Sequence, residues 1–455
     1  MGSPSSPSSV NPRIFGAYDV RGVYPTDLND ETAYRIGRAF AQYIGVERIA
    51  VGHDMRVSSP ALAAAFMRGV TDQGADAIDL GLTTTDELYF AVGKYGYPAG
   101  AMITASHNPK QYNGLKLCRE NATAISSETG GFAIRDLAVA GQFSEPARKG
   151  QITQRDVSDA YVEHCLSFID VAQVKPYKIA VDAGNGMAGM IAPRVFQRLP
   201  CELVPLFFEL DGTFPNHPAS PIEPENTEEL RRVVPAERCD MGIAFDGDAD
   251  RMFLIDEQGR LLGCDMVTAL VAHSLLQSHP GATILYNLIC SRSVPEVIER
   301  DGGRAVRTRV GHSFIKAQMR QENAIFGGEH SGHFYFRDNW YADSGLIAFL
   351  IVLELVSVSG KTVSQLVREV DTRFRSGEVN SEVHDQKGRM AAIEEKYAAA
   401  GATIDHLDGV TISFPTWWAN VRPSNTEPLL RLNVEADTQD ELKRRTDEVL
   451  AVIRQ

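Results

Sequence analysis

No run in the sequence approaches the ~20 apolar residues that a membrane-spanning helix needs. The most apolar stretch, Leu346–Leu353, reads as a buried helix. Cysteine is scarce: six in 455 residues (Cys118, Cys165, Cys201, Cys239, Cys264, Cys290), with no CxxC pair. That scatter argues against a disulfide framework and a structural zinc, and leaves the thiols as small buried apolar groups. Positive charge is short as well. Lys and Arg number 45 against 59 Asp and Glu, a net charge of −14, which speaks against a nucleic-acid surface. Residues 1–12 (MGSPSSPSSVNP) lack the basic start and apolar run of a signal peptide. They read as a disordered tail, and the chain as cytoplasmic.

What remains is an ordinary soluble composition, 44% hydrophobic and 23% charged. The length predicts about three or four domains. Three segments repeat one plan, a short β-branched run ending in a polar turn and followed by a helical pattern. They are Arg48–Asp54 with Pro60–Gly74, Tyr177–Gly186 with Met187–Gln197, and Ala282–Leu288 with Ser293–Arg300. Such alternation predicts βαβ units and mixed or parallel sheets. The last segment has strand patterns at Gly409–Phe414 and Pro428–Val434 before a helix at Thr438–Val452, which predicts an α+β unit. The expected domains are 13–150, 155–258, 259–370 and 375–455, with Glu145–Gln151 and Arg375–Glu382 as linkers.

Four motifs carry chemistry. Thr104-Ala-Ser-His-Asn-Pro109 follows the apolar run Ala99–Ile103, so its serine sits in a loop at a strand end; a plain turn explains the same residue types. Ser106 and His107 are chain neighbours, which rarely point at each other, so the pair makes no triad. In Asp246-Gly-Asp-Ala-Asp-Arg251, alternate carboxylates can converge on one hard cation, and Arg251 beside them can hold a phosphoryl oxygen. An EF-hand fails here, because Arg251 stands where that loop needs glycine and the flanks read as strands. Gly327-Gly-Glu-His-Ser-Gly-His333 places Glu329 and His333 four apart, but its glycines favour a loop presenting Glu329, Ser331 and His333 over a helix. Arg422-Pro-Ser-Asn-Thr-Glu-Pro428 reads as an anion cradle or as a plain turn. Any anionic ligand of so acidic a chain depends on a local site of that kind.

In this order the four motifs resemble those of the α-D-phosphohexomutase superfamily, one motif per expected domain. Phe15–Gly22, Asn113–Lys116, Asp211–His217, Glu223–Asn226 and Gly311–Ser313 are similar to further family segments, so the resemblance spans about residues 13–455. It implies three related α/β domains with mixed sheets plus a C-terminal α+β domain around a central cleft. It implies that Ser106 is phosphorylated and that Mg²⁺ is held by Asp246, Asp248, Asp250 and a phosphoserine oxygen. Tyr18, Arg21, Lys116, Arg251 and His312 match positions near the transfer centre. Glu329, Ser331 and His333 match the sugar-reading loop, and Arg422, Ser424, Asn425 and Thr426 the loop holding the non-reacting phosphate. The implied partners are sugar phosphates, with a hexose 1,6-bisphosphate as activator and intermediate. His107, Lys116 and His333 all remain open as the base. The segment around His330 is similar to bacterial phosphomannomutases. Phosphoglucosamine mutases usually carry Gln or Asn at position 330 and Gly at 249, where this chain has His330 and Ala249. The rivals are a glucosamine-phosphate mutase, a phosphoserine-dependent phosphatase and a non-catalytic sugar-phosphate sensor. Some members have a basic residue near Ile289, where only Arg292 is close in this chain. The pattern sets no oligomeric state.

Overall fold

The computed structural model describes residues 10–424 and 428–455, without the side chain of His312. Among the described residues the strands form four sheets. Three are mixed. In the first, the strands run in the spatial order Val20–Val23, Tyr112–Arg119, Ala99–Ile103, Arg48–His53, Asp76–Leu82, Ile152–Gln154, with Thr123–Ala124 paired to Tyr112–Arg119. The second runs Met252–Asp256, Met241–Phe245, Lys178–Asp182, Glu202–Leu206. The third runs Arg304–Thr308, Thr283–Asn287, Phe326–Gly328, Phe334–Phe336, Ala342–Asp343. The fourth is antiparallel throughout, from Phe374–Glu382 through Leu429–Ala436, Trp417–Pro423 and Val410–Ser413 to Thr403–Asp405.

The mixed sheets share one feature that positions the chemistry. Each has a parallel core whose last strand turns into an antiparallel neighbour. These turns join Ala99–Ile103 to Tyr112–Arg119, Met241–Phe245 to Met252–Asp256, and Phe326–Gly328 to Phe334–Phe336. The first three motifs occupy those equivalent turns, at the carboxyl ends of buried parallel strands, where ligands of open α/β sheets collect. The Arg422 motif occupies the turn from Trp417–Pro423 to Leu429–Ala436.

Local sequence explains the frame. Ala99–Ile103 and Met241–Phe245 are apolar at every position and buried on both faces, as central strands of a covered sheet must be. Gly345–Ser359 is apolar through Leu353 and buried over most of its length; no single helix among the described residues is long and apolar enough to cross a membrane. Five cysteines are buried, Cys201 is half-buried, and all six are free thiols.

The structure corrects several expectations. Val10 is buried and Pro12–Ile14 forms a 3₁₀ turn, so the folded body begins before residue 13; residues 1–9 of the expected tail lie outside the described residues. Glu145–Gln151 does not end the first unit, because Ile152–Gln154 still pairs with Asp76–Leu82. Arg375–Glu382 is no linker but most of the strand Phe374–Glu382. Its polarity reflects an edge position, with a neighbour on one side only among the described residues. The two strands expected in the last unit are joined by three more.

Candidate active site

Ser106 adopts a left-handed φ of +50°, rare outside glycine, and is buried. Arg56 holds the loop in that shape. Its buried guanidinium donates to the carbonyls of Ser106 (2.8 Å), Asn108 (2.6 Å), Pro109 (3.0 Å) and Tyr112 (3.0 Å), and lies 3.4 Å from Asp54. Arg21 adds a bond to the carbonyl of Thr104 (2.8 Å) and is itself paired with Asp19. The serine hydroxyl is thereby aimed across to the second sheet, where it donates to Asp246 Oδ2 at 2.7 Å. The same conformation brings Ser106 Oγ within 3.1 Å of His107 Nδ1, against the expectation from chain adjacency. Successive side chains diverge on an extended strand, and a left-handed residue breaks that alternation.

Asp246, Asp248 and Asp250 are all buried, and one carboxylate oxygen from each lies within 4.8 Å of the others. Lys116 reaches both Asp248 Oδ2 (2.7 Å) and Asp250 Oδ2 (2.5 Å), while Arg251 Nε donates to Asp246 Oδ2 (2.9 Å). Thr85, at the first turn of the helix Thr85–Lys94, donates to Asp248 Oδ2. Among the described residues, Asp248 Oδ1 and Asp250 Oδ1 are buried without a hydrogen-bond partner, so the three-carboxylate group fits a hard divalent cation.

The charges are strongly coupled. Burial, then the charge on Asp248, pushes the Asp250 carboxyl up to about 6. Burial acts to raise Asp248 too, but Lys116 overrides it and holds that carboxyl low. Burial alone would discharge Lys116; the two aspartates keep it charged well beyond its ordinary range. Burial would also lower His333, but Asp250 and Asp343 raise it. The charge of Arg251 first of all holds His107 well below its ordinary value. Of the three candidate bases, His107 is the one kept in its proton-accepting form.

The structure thus gathers Ser106, His107, Lys116, Arg251, His333 and the three aspartates into one cluster. His333 belongs there through Asp343 Oδ2 (2.8 Å from Nδ1) and Asp250 Oδ1 (3.9 Å). Asp343 is in turn paired with the buried Lys316 at 2.6 Å. A cavity of about 920 Å³ is walled by residues from the units of all four sheets, including Tyr18, Ile289, Ser331, Arg422 and Ser424. Ser106 and the aspartates do not line it.

Glu329 is not presented openly. It is buried, with Oε1 accepting from the Gly311 N–H (3.0 Å) and Oε2 from the Tyr335 hydroxyl (2.6 Å). The backbone of His312 opens the helix His312–Glu322; its side chain, and Asn425 and Thr426, lie outside the described residues. Arg292 is spent on the carbonyls of Phe414 and Pro415 and stays out of the cavity wall; Arg309 lines the wall instead. Sequence reasoning missed Arg56, Thr85, Arg309, Lys316 and Asp343. Only Arg56 left a trace, as one half of a charged pair with Asp54 just past a strand end.

The whole chain matches known proteins in this arrangement. The family models for phosphoglucomutase/phosphomannomutase match in order: alpha/beta/alpha domain I over residues 12–144, domain II over 159–259, domain III over 264–374, and the C-terminal domain over 378–452. The chain belongs to this family, within the α-D-phosphohexomutase superfamily. A phosphomannomutase of Escherichia coli is 41% identical over 450 residues, covering 97% of this chain and 99% of that protein. A protein of Xanthomonas campestris pv. campestris described as phosphohexose mutases is 42% identical over 442 residues, with the same shares covered. A solved phosphoglucomutase/phosphomannomutase family protein from Burkholderia thailandensis superposes with a TM-score of 0.89 at 32% identity, covering 98% of each chain. The phosphomannomutase type within the superfamily is the one these relatives support, and the expected four-unit α/β architecture agrees with the family models.

Proposed function

We propose that the protein interconverts mannose 1-phosphate and mannose 6-phosphate through a phosphoseryl enzyme and a mannose 1,6-bisphosphate, and that it also accepts glucose phosphates. The relatives named above support the sugar; the chemistry is supported by one observation, the hydroxyl of Ser106 hydrogen-bonded at 2.7 Å to a buried three-carboxylate cluster that Lys116 and Arg251 flank.

Phosphoryl transfer asks for in-line positioning and for neutralisation of oxygens more than for covalent assistance. Asp246, Asp248 and Asp250 would hold Mg²⁺, which supplies Lewis-acid neutralisation of phosphoryl charge when bound. Lys116 and Arg251 are fixed in their charged forms and suit the remaining phosphoryl oxygens. In the first half-reaction the O6 hydroxyl of mannose 1-phosphate attacks the phosphorus on Ser106. The Ser106 O–P bond breaks, the O6–P bond forms, and the hydroxyl proton passes to a base. The bisphosphate then turns end for end. Ser106 Oγ attacks the phosphorus at C1, the C1 oxygen regains a proton, and mannose 6-phosphate leaves. Arg422, Ser424 and the Arg309 side of the cavity suit the phosphate that is not reacting, whichever end that is. His107, kept neutral 3.1 Å from Ser106 Oγ, suits the proton to and from the serine oxygen. Free thiols fit a reducing compartment, and we place the enzyme in the cytoplasm.

The test is isomerisation of mannose 1-phosphate, glucose 1-phosphate and glucosamine 1-phosphate, each with a trace of glucose 1,6-bisphosphate. Turnover of mannose phosphate is expected to lead. Preference for glucosamine phosphate would overturn the sugar assignment, and release of free phosphate at the isomerisation rate would replace the mutase with a phosphatase.

A further inference from the structure

The phosphate-holding wall of the cavity carries an anion of its own. Trp417–Pro423 pairs with Leu429–Ala436 so that Arg422 stands directly opposite Arg431. Like charges so placed repel. Glu378 bridges them: its Oε2 accepts from Arg422 Nη2 at 2.7 Å, and its Oε1 lies 3.3 Å from Arg431 Nη1. The side chain of Glu378 is a quarter exposed, and all three residues line the cavity.

Glu378 reaches this place through a β-bulge. Arg375 pairs with Glu435 and Glu378 with Asn433, so Ser376 and Gly377 together face Val434 alone. Gly377 has a φ of +68°, which a side chain would strain, and Ser376 Oγ accepts from the Val434 N–H at 2.9 Å. One extra residue reverses the alternation of the strand beyond it, and so decides which face Glu378 joins. Among the described residues, the buried Nε atoms of Arg422 and Arg431 have no hydrogen-bond partner.

We infer that Glu378 is a built-in competitor of the substrate's phosphate, closing on Arg422 and Arg431 when the phosphate leaves and giving way when it arrives. The inference rests on the mutase reading above. Carboxylate and phosphate seek the same forked donors, and the phosphate carries more charge. The displaced carboxylate makes phosphate binding weaker than the two arginines alone would give. A mutase has a use for that: its bisphosphate must quit the cradle to turn over, and an intermediate held too tightly slows the cycle. A neighbouring carboxylate that takes over the guanidinium groups eases the departure. If Glu378 only held the two arginines side by side, removing it would loosen the cradle and weaken binding instead.

The two roles predict opposite signs. Glucose 1,6-bisphosphate is titrated calorimetrically into full-length Ser106→Ala protein, in which no transfer to serine occurs, with and without Glu378→Gln. Steady-state isomerisation of mannose 1-phosphate is measured with Ser106 in place. Glu378→Gln is expected to bind the bisphosphate about tenfold tighter, the worth of one charge-assisted hydrogen bond. KM and kcat should both fall, leaving kcat/KM close to wild type, while Glu378→Asp restores wild-type behaviour. Binding that is weaker or unchanged in Glu378→Gln overturns the inference. Glu378→Ala, read by the same titration, decides the matter if the glutamine variant does not fold. A wild type that binds the bisphosphate but isomerises neither mannose nor glucose phosphate overturns the mutase reading alone, and the titration still reports on Glu378.

Discussion

Replacing Arg56 with methionine keeps an unbranched side chain of similar reach and removes a charge and five donors. Four carbonyls, those of Ser106, Asn108, Pro109 and Tyr112, lose a donor each, Pro109 keeping the Tyr112 N–H, and Asp54 loses its buried counterion. Breaking a buried ion pair from one side costs about 3–5 kcal/mol. The left-handed backbone at Ser106, a strain of about 1–3 kcal/mol, is then no longer enforced and relaxes. A displacement of about 1 Å at a reacting atom costs on the order of a hundredfold in rate, so kcat should fall by about that factor. KM should change little, because Arg422 and Ser424, proposed above for the other phosphate, belong to the fourth sheet and its turn. Arg56→Lys restores the charge beside Asp54 without the planar fork, so stability should recover more than kcat does. A coupled isomerisation assay and denaturant unfolding followed by circular dichroism read the two effects. An Arg56→Met protein that unfolds at the wild-type midpoint and turns over at the wild-type kcat would show that Arg56 does not hold the Ser106 loop.

Chelation with EDTA should abolish activity, and added Mg²⁺ should restore it. Since a cation needs Asp250 ionised and its carboxyl sits near 6, half-maximal activation should demand more Mg²⁺ as pH falls below that value, by up to about tenfold per unit. Gly311→Ala places a Cβ 2.7 Å from the Tyr18 hydroxyl at a φ of +131°, and a strain of about 1–3 kcal/mol should lower kcat/KM by roughly ten- to a hundredfold. Burial lowers His217, but its hydrogen bond to Asp182 raises it on balance. Its contribution to stability is therefore present below the ordinary histidine value of about 6.5 and lost as pH rises through the raised one. His217→Gln should lower the melting temperature more at pH 5.5 than at pH 8.5, as scanning calorimetry would show.

The repeated strand–helix plan was legible because parallel strands buried on both faces leave unbroken apolar runs, as at Ala99–Ile103 and Met241–Phe245. The polar turns after those runs were legible as motifs, and the structure joins Ser106 to Asp246 across 140 residues of sequence. Edge strands were not legible. Phe374–Glu382 shows a mixed burial pattern, since one flank has no neighbour, and polar residues there mimic a linker. Supporting charges were equally hidden. Arg56 bonds to carbonyls some fifty residues ahead, and a carbonyl has no sequence signature. Lys316 and Asp343 lie on a helix and a short strand with no motif around them, and their pairing beneath His333 exists only in three dimensions. The burial of Glu329 was not legible either: a glycine-rich loop suggests an open carboxylate, whereas its oxygens accept from the Gly311 N–H and the Tyr335 hydroxyl.

The central claim is that the phosphoryl group travels through Ser106, and a single-turnover experiment reads it directly. The enzyme is charged with glucose 1,6-bisphosphate, freed of excess, and mapped by peptide mass spectrometry before and after a pulse of mannose 1-phosphate. One phosphate is expected on the peptide bearing Ser106, lost within a turnover as mannose 1,6-bisphosphate appears in equal amount. Sustained isomerisation by Ser106→Ala, or a phosphate carried on another residue, would contradict it.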